Sequence, residues 1–267
     1  MTPATAGLLT FSPTGTTRLV VEHVAKGLGL PGITTFDLTP PHPETSGVQE
    51  TAFDVAVIGS PVYAGRLPPV MVERLHQIPG GGRPALLIVV YGNRAFEDAL
   101  LELEGAAVAA GFRPLAAAAF IGEHSYSTAG LPIAPGRPDP ADLAKAVGFG
   151  AQVAEQLRKG TCARWNTPLA LPGDRPGREL RAPMGVAPSV DSNVCVACGL
   201  CGTRCPTGAI GPDDPVADGK LCIQCCACIK ACPLGARRTV DPRVLQIADR
   251  LHRTCAQRQE PEVFFRT

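Results

Sequence analysis

AGLLTFSPTGTT, residues 6–17, sets the reading of the first part of the chain: an apolar run, Ala6–Phe11, then Ser12-Pro13-Thr14-Gly15-Thr16-Thr17, then a helical pattern over Thr16–Gly27. The turn is not a nucleotide loop ending in Gly-Lys-Ser/Thr, nor a G-x-G-x-x-G turn. It is a hydroxyl-rich turn at a helix N-terminus. Backbone N–H groups, the helix dipole and four hydroxyls there can hold a phosphate without a lysine. Taken alone, such turns are commonplace helix caps, so the decision falls to the surrounding sequence.

Outward from this stretch, short apolar runs alternate with helical patterns. Strands are expected at Ala6–Phe11, Ile33–Leu38, Phe53–Gly59, Pro84–Tyr91 and Leu115–Gly122. The third and fourth are near-continuous apolar runs, as parallel strands buried on both faces are. Helices are expected at Thr16–Gly27, Pro68–Gln77, Phe96–Ala110 and Pro140–Lys159. Strand–helix alternation implies βαβ units with right-handed crossovers, hence a doubly wound, five-stranded parallel sheet.

All three tyrosines fall just after expected strand ends. They lie in Pro61-Val62-Tyr63-Ala64-Gly65-Arg66, in Tyr91-Gly92-Asn93-Arg94 and in Glu123-His124-Ser125-Tyr126. In such a sheet the ligand crevice lies at these carboxyl ends, and aromatic rings there can stack on a planar ligand. A phosphate cup after strand one with tyrosines after strands three and four describes flavin mononucleotide, FMN. Arg94 is a candidate to stabilise reduced, anionic flavin, against the alternative of a surface ion pair. His124 is a candidate proton relay, against that of a hydrogen-bonded loop residue. Arg66 and Glu123 are further candidates. No nucleophile–base pairing is evident.

The chain's 11 cysteines all lie at or after Cys162. Cys195-Val-Ala-Cys198-Gly-Leu-Cys201-Gly-Thr-Arg-Cys205-Pro206 and Cys222-Ile-Gln-Cys225-Cys226-Ala-Cys228-Ile-Lys-Ala-Cys232-Pro233 share the spacing C-x2-C-x2-C-x3-C-P at an offset of 27 residues. Three closely spaced thiolates wrap one corner of an iron–sulfur cubane, and the fourth ligand arrives from the other run. The ligand sets expected are therefore Cys195, Cys198, Cys201 and Cys232 for one [4Fe–4S] cluster, and Cys222, Cys225, Cys228 and Cys205 for a second. Zinc sites pair their ligands differently. Val196, Ile210, Leu221, Ile223 and Ile229 are candidates for an apolar shell. Cys226 reads as a bystander, and Cys162 and Cys255 as ordinary thiols.

Net charge of +1 and 18% charged residues argue against a nucleic-acid clamp. The longest apolar runs, Ala85–Tyr91 and Leu115–Ile121, are far short of a membrane span of about 20 residues. Met1–Phe11 lacks a signal-peptide pattern, and clustered thiols fit a reducing, cytoplasmic setting. The expected divisions are 1–161 for the sheet domain, a Pro/Gly/Arg linker over 162–188, the cysteine module over 189–241, and a helix and tail over 242–267.

Ser12-x-Thr14-Gly15-x-Thr17 resembles the phosphate loop of flavodoxins. With the paired cysteine runs, the chain resembles flavodoxin–ferredoxin fusion proteins. That resemblance implies strand order 2-1-3-4-5 and a small α+β ferredoxin domain holding two clusters. It implies FMN phosphate on Ser12, Thr14, Gly15, Thr16 and Thr17. The isoalloxazine would lie between Pro61–Gly65 (with Val62, Tyr63 and Ala64) and Tyr91–Arg94 (with Gly92 and Asn93). The function expected is relay of low-potential electrons to or from a partner protein or reductase. The alternative is a flavin-dependent reductase acting on a bound small molecule, supplied by the clusters. The sequence leaves a homodimer open.

Overall fold

The structure, a computed structural model, describes residues 3–43, 53–159, 169–174, 184–211 and 214–266. Cys162 and most of the expected linker lie outside these. The first domain comprises strands β1 (Thr5–Thr10), β2 (Gly32–Asp37), β3 (Val55–Pro61), β4 (Pro84–Tyr91) and β5 (Arg113–Ile121). Its helices are α1 (Thr16–Leu28), α2 (Pro69–Leu75), α3 (Ala99–Ala109) and α4 (Pro140–Lys159). These strands are mutually parallel in the order β2-β1-β3-β4-β5.

Side-chain alternation along the strands feeds two cores. Leu8, Val57, Leu86 and Ile88 face α1 and α4, where Val20, Val24, Phe149 and Val153 are buried. Leu9, Ile58, Leu87 and Val89 face α2 and α3, with Met71, Leu75, Leu100 and Leu103. Glycine lets α1 and α4 approach closely: a Cβ on Gly27 would lie 2.0 Å from the Val147 carbonyl oxygen, and one on Gly150 2.1 Å from that of Val24. Strand β3 is buried throughout, whereas β2 alternates as an edge strand does.

The cysteine module follows, with short helices α5 (Leu200–Thr203) and α6 (Ala227–Ala231). A ribbon of β6 (Ser189–Val190) and β7 (Arg237–Arg238) closes it. The amphipathic helix α7 (Pro242–Thr254) starts at an Asp241 cap, whose carboxylate accepts the Arg243 N–H at 2.9 Å. It buries Val244, Ala248 and Leu251. Leu245, next to Val244 in sequence, is 43% exposed.

The five-stranded expectation is extended by one strand. The chain returns from the cysteine module and adds β8 (Glu262–Phe265) antiparallel to β5. This covers the otherwise open edge of β5. Alternation sends Phe264 to the Phe96 face, at 6.4 Å between ring centroids, and Phe265 to the Phe149 face, at 5.5 Å. Among the described residues no helix is long and apolar enough to cross a membrane.

Candidate functional site

The turn after β1 is built as a helix-terminal cup. Gly15, at φ 87°, leads into α1. The Ser12 hydroxyl accepts the Arg18 N–H at 3.0 Å, and the Ser12 N–H donates to the Thr39 hydroxyl at 2.8 Å. The first amides of a helix have no partner inside it. Thr17 is 1% exposed and its hydroxyl has no hydrogen-bond partner, as is also true of buried Thr10 on the adjoining strand. An unpaired buried hydroxyl costs about 1–3 kcal/mol. One beside a helix N-terminus fits a site whose missing acceptor is a phosphate.

The loops at the other strand ends divide unevenly. After β3, Tyr63 and Arg66 bond reciprocally across a two-residue turn, with Ala64 and Gly65 at φ 53° and 82°. Positive φ at both positions makes a turn of the tight hairpin kind. Tyr63 is half-buried and bonds Ser125. Burial, then the neighbouring Cys225 and Cys226 thiols, hold its hydroxyl well above the ordinary value. Arg66 is spent on Glu102, which also accepts the Leu67 N–H at 2.8 Å.

After β4 the expected flavin contacts are largely committed elsewhere. Tyr91 is not a free stacking ring: it is 5% exposed and packs on Phe96 with centroids 5.5 Å apart. The Asn93 amide donates to the carbonyls of Cys255 and Gln257 at 2.7 and 2.8 Å, and its oxygen accepts the Gln259 N–H at 3.1 Å. Asn93 therefore clamps the tail that leads to β8. Arg94 pairs with Glu97 at 2.6 Å. Gly92 lies under the His124 ring, since a Cβ there would be 2.2 Å from His124 Cδ2.

After β5, His124 Nδ1 accepts the Tyr126 N–H at 3.0 Å. Burial, then Lys230 and Arg94, lower its pKa to about 4, so the ring is neutral at pH 7. Glu123 pairs with Lys230 of α6 at 2.9 Å. Cys255 is buried with Ile133 and Leu251, as an ordinary thiol would be.

The cysteines gather into two pockets. One is lined by Cys195, Cys198, Cys201 and Cys232, the other by Cys222, Cys225, Cys228 and Cys205 together with Cys226. All described cysteines are free thiols. Among the described residues no three His, Cys, Asp or Glu side chains are arranged to hold a single metal ion. Each pocket instead brings together the three-plus-one set that a cubane requires. Burial pushes the Cys228 thiol up to about 11 and Cys226 to about 12. Metal binding at these sites must therefore displace protons.

The internal repeat is present in the backbone as well. Ala197 and Gln224, at equivalent positions, have φ 52° and 58°. Gly199 and Cys226 have 74° and 58°, and Gly208 and Gly235 both 65°. Of the expected apolar shell, Ile210 is buried and Ile223 and Ile229 are partly buried, but Val196 and Leu221 are 67% and 50% exposed. Val196 nonetheless lines the first pocket.

The second pocket faces the sheet domain. Ile223 packs against the α2–α3 core, and Tyr63 and Tyr126 lie beside the Cys225 and Cys226 thiols. Arg74 of α2, 6% exposed, donates to the Leu38, Thr39, Pro41 and Pro206 carbonyls at 2.7, 2.9, 3.2 and 2.7 Å. It thereby ties the residue after Cys205 to Thr39, which itself holds the turn at Ser12. No pattern in the sequence marks Arg74 or Asn93 for these roles, because each is a lone polar residue whose partners are distant carbonyls.

Residues 188–211 match the model of the 4Fe-4S binding domain, which places iron–sulfur binding in the cysteine module. No curated protein matches the chain. Among solved structures, the chain is similar to a flavodoxin from the domain Archaea, at 14% identity and a TM-score of 0.42, covering 58% of this chain and 99% of that one. It is similar to a flavodoxin of Streptococcus pneumoniae TIGR4, at 20% identity and 0.41, covering 59% and 99%. A third is the rubredoxin oxygen:oxidoreductase of Desulfovibrio gigas, at 13% identity and 0.43, covering 60% and 37%. The observed order β2-β1-β3-β4-β5 is itself the flavodoxin-like one. The chain joins a flavodoxin-like α/β domain to a module of the 4Fe-4S binding type.

Proposed function

We infer that the chain is an iron–sulfur flavoprotein that relays low-potential electrons. FMN would be held by the Ser12–Thr17 turn and the loop around Tyr63. Two [4Fe–4S] clusters would be held by the crossed cysteine sets. The observation that carries this reading is the pair of four-cysteine pockets, one of which is turned toward the loops at the strand carboxyl ends. Bound there, flavin supplies exchange between two-electron and one-electron chemistry, and the clusters supply one-electron exchange.

The residues give the arrangement a direction. Cys198 is exposed and Cys195, Cys201 and Cys232 are half-buried, so the first set is accessible to a protein partner. Cys205, Cys225 and Cys228 are buried, so the second set is screened from solvent on the flavin side. Tyr63 and Tyr126 line that interface, and the Lys230–Glu123 pair bridges it. A reducing, cytoplasmic setting suits such thiols.

Anaerobically purified protein should contain about eight iron, about eight sulfide and one FMN per chain. A colourless, zinc-loaded protein would overturn the reading. A second reading, reduction of a small molecule at the flavin, is favoured by His124, whose ring lies beside Gly92 and accepts the Tyr126 N–H. Turnover with small acceptors in the absence of any carrier protein separates the two.

A further inference from the structure

The two cysteine runs repeat at 27 residues, and in one place the repeat breaks in chemistry while the fold continues. Cys205-Pro-Thr-Gly-Ala-Ile210 recurs as Cys232-Pro-Leu-Gly-Ala-Arg237. Ile210 is 5% exposed and lines the second pocket. Arg237, its counterpart, is 3% exposed and lines the first. An arginine therefore occupies a buried position that its own repeat fills with isoleucine.

Among the described residues that arginine has no anionic partner. Its terminal nitrogens donate to neutral carbonyls, those of Pro188 at 3.3 Å and of Pro215. Its Nε is buried with no hydrogen-bond partner. Among the described residues no carboxylate forms an ion pair with it; the nearby Asp191 pairs with Arg238 instead. Arginine keeps its proton in proteins, and a buried charge without a counter-ion is strongly unfavourable. The charge and the free N–H call for an anion at this pocket. A cubane with four thiolates is such an anion, and it becomes more negative on reduction.

We propose that Arg237 is the residue that makes the two repeat-related clusters electrically unequal, stabilising the reduced form of the cluster held by Cys195, Cys198, Cys201 and Cys232 through its buried charge and unspent N–H. The proposal rests on the two-cluster reading above. The charge of Arg237 also acts on the Cys222 and Cys228 thiols, so the second cluster feels it as well. The first cluster is then the easier of the two to reduce. It is also the one a partner can reach.

The test is a redox titration of the anaerobic holoprotein followed by electron paramagnetic resonance. It compares the unaltered chain with Arg237→Ile, which installs the residue of the twin position, and with Arg237→Lys. In Arg237→Ile the first cluster's one-electron equilibrium should move about tenfold toward the oxidised form, a fall of about 59 mV. The second cluster should move less, and Arg237→Lys should stay nearer the unaltered protein. Failure of Arg237→Ile to load the first cluster, with loading intact in Arg237→Lys, also supports the role of the charge. Unchanged potentials in Arg237→Ile, equal shifts in both variants, or loss of the cluster in both would overturn the proposal. An unaltered protein with fewer than two clusters would overturn the underlying reading as well.

Discussion

The two cysteine runs have the same spacing and the same backbone, yet different surroundings. In the first, Cys198 is exposed, Ala197 faces solvent and Gly199 takes the left-handed position. In the second, Cys225 is buried, Gln224 bonds the Val186 carbonyl and Cys226 takes the left-handed position. A repeat of this kind fixes where thiolates converge. The residues that vary between its copies fix what each site faces. Here one copy faces outward and the other faces the flavodoxin-like domain.

The comparison breaks most visibly at the crossed ligand. Cys205 belongs to the first run in sequence and lines the second pocket in space. Cys205→Ala should therefore lose about four of about eight irons, from the cluster held by Cys222, Cys225 and Cys228. Spectroscopy that instead shows loss of only the cluster held by Cys195, Cys198 and Cys201 refutes the crossed assignment. A soluble iron chelator sharpens the contrast in burial: it should remove the exposed first cluster several times faster than the second. Equal rates would mean that the sheet domain does not screen the second pocket.

Smaller effects distinguish the equivalent left-handed positions. A non-glycine residue there carries a strain of about 1–2 kcal/mol. Ala197→Gly, on the exposed loop, should stabilise the protein by about 1 kcal/mol. Gln224→Gly should gain less, since it also gives up the bond to the Val186 carbonyl. Thermal unfolding of the two variants decides the order.

The docked side also carries a pH dependence. His124 titrates near 4 in the folded chain, below its ordinary value of 6.5, because of burial and of Lys230 on the second run's helix. The unfolded chain thus binds the proton more readily between those values, so stability falls as pH drops from 6.5 toward 4. Denaturant unfolding of His124→Gln should show a flatter profile over this window. An unchanged slope would remove His124 as its source.

Much of this was legible in the sequence. The doubly wound sheet was readable because buried parallel strands are continuous apolar runs, as in Val55–Pro61 and Pro84–Tyr91. The cysteine sets were readable because ligand spacing is itself the geometry. The rest was hidden for physical reasons. Strand β8 is four residues long and its partner is distant in sequence, so no period announces it. The tyrosines share one edge of the sheet, but only packing shows that Tyr91 is spent on Phe96 while Tyr63 faces the cysteine module. Arg74 and Asn93 act on carbonyls far along the chain, which leave no residue pattern.

The central claim is that the second cysteine set lies between an external donor and the flavin. The direct measurement is anaerobic stopped-flow reduction of bound FMN by a reduced ferredoxin, in the unaltered protein and in Cys205→Ala, with flavin content confirmed equal. The account predicts that flavin reduction slows by at least an order of magnitude in Cys205→Ala while the first cluster is still reduced. Flavin reduction at an unchanged rate would contradict it.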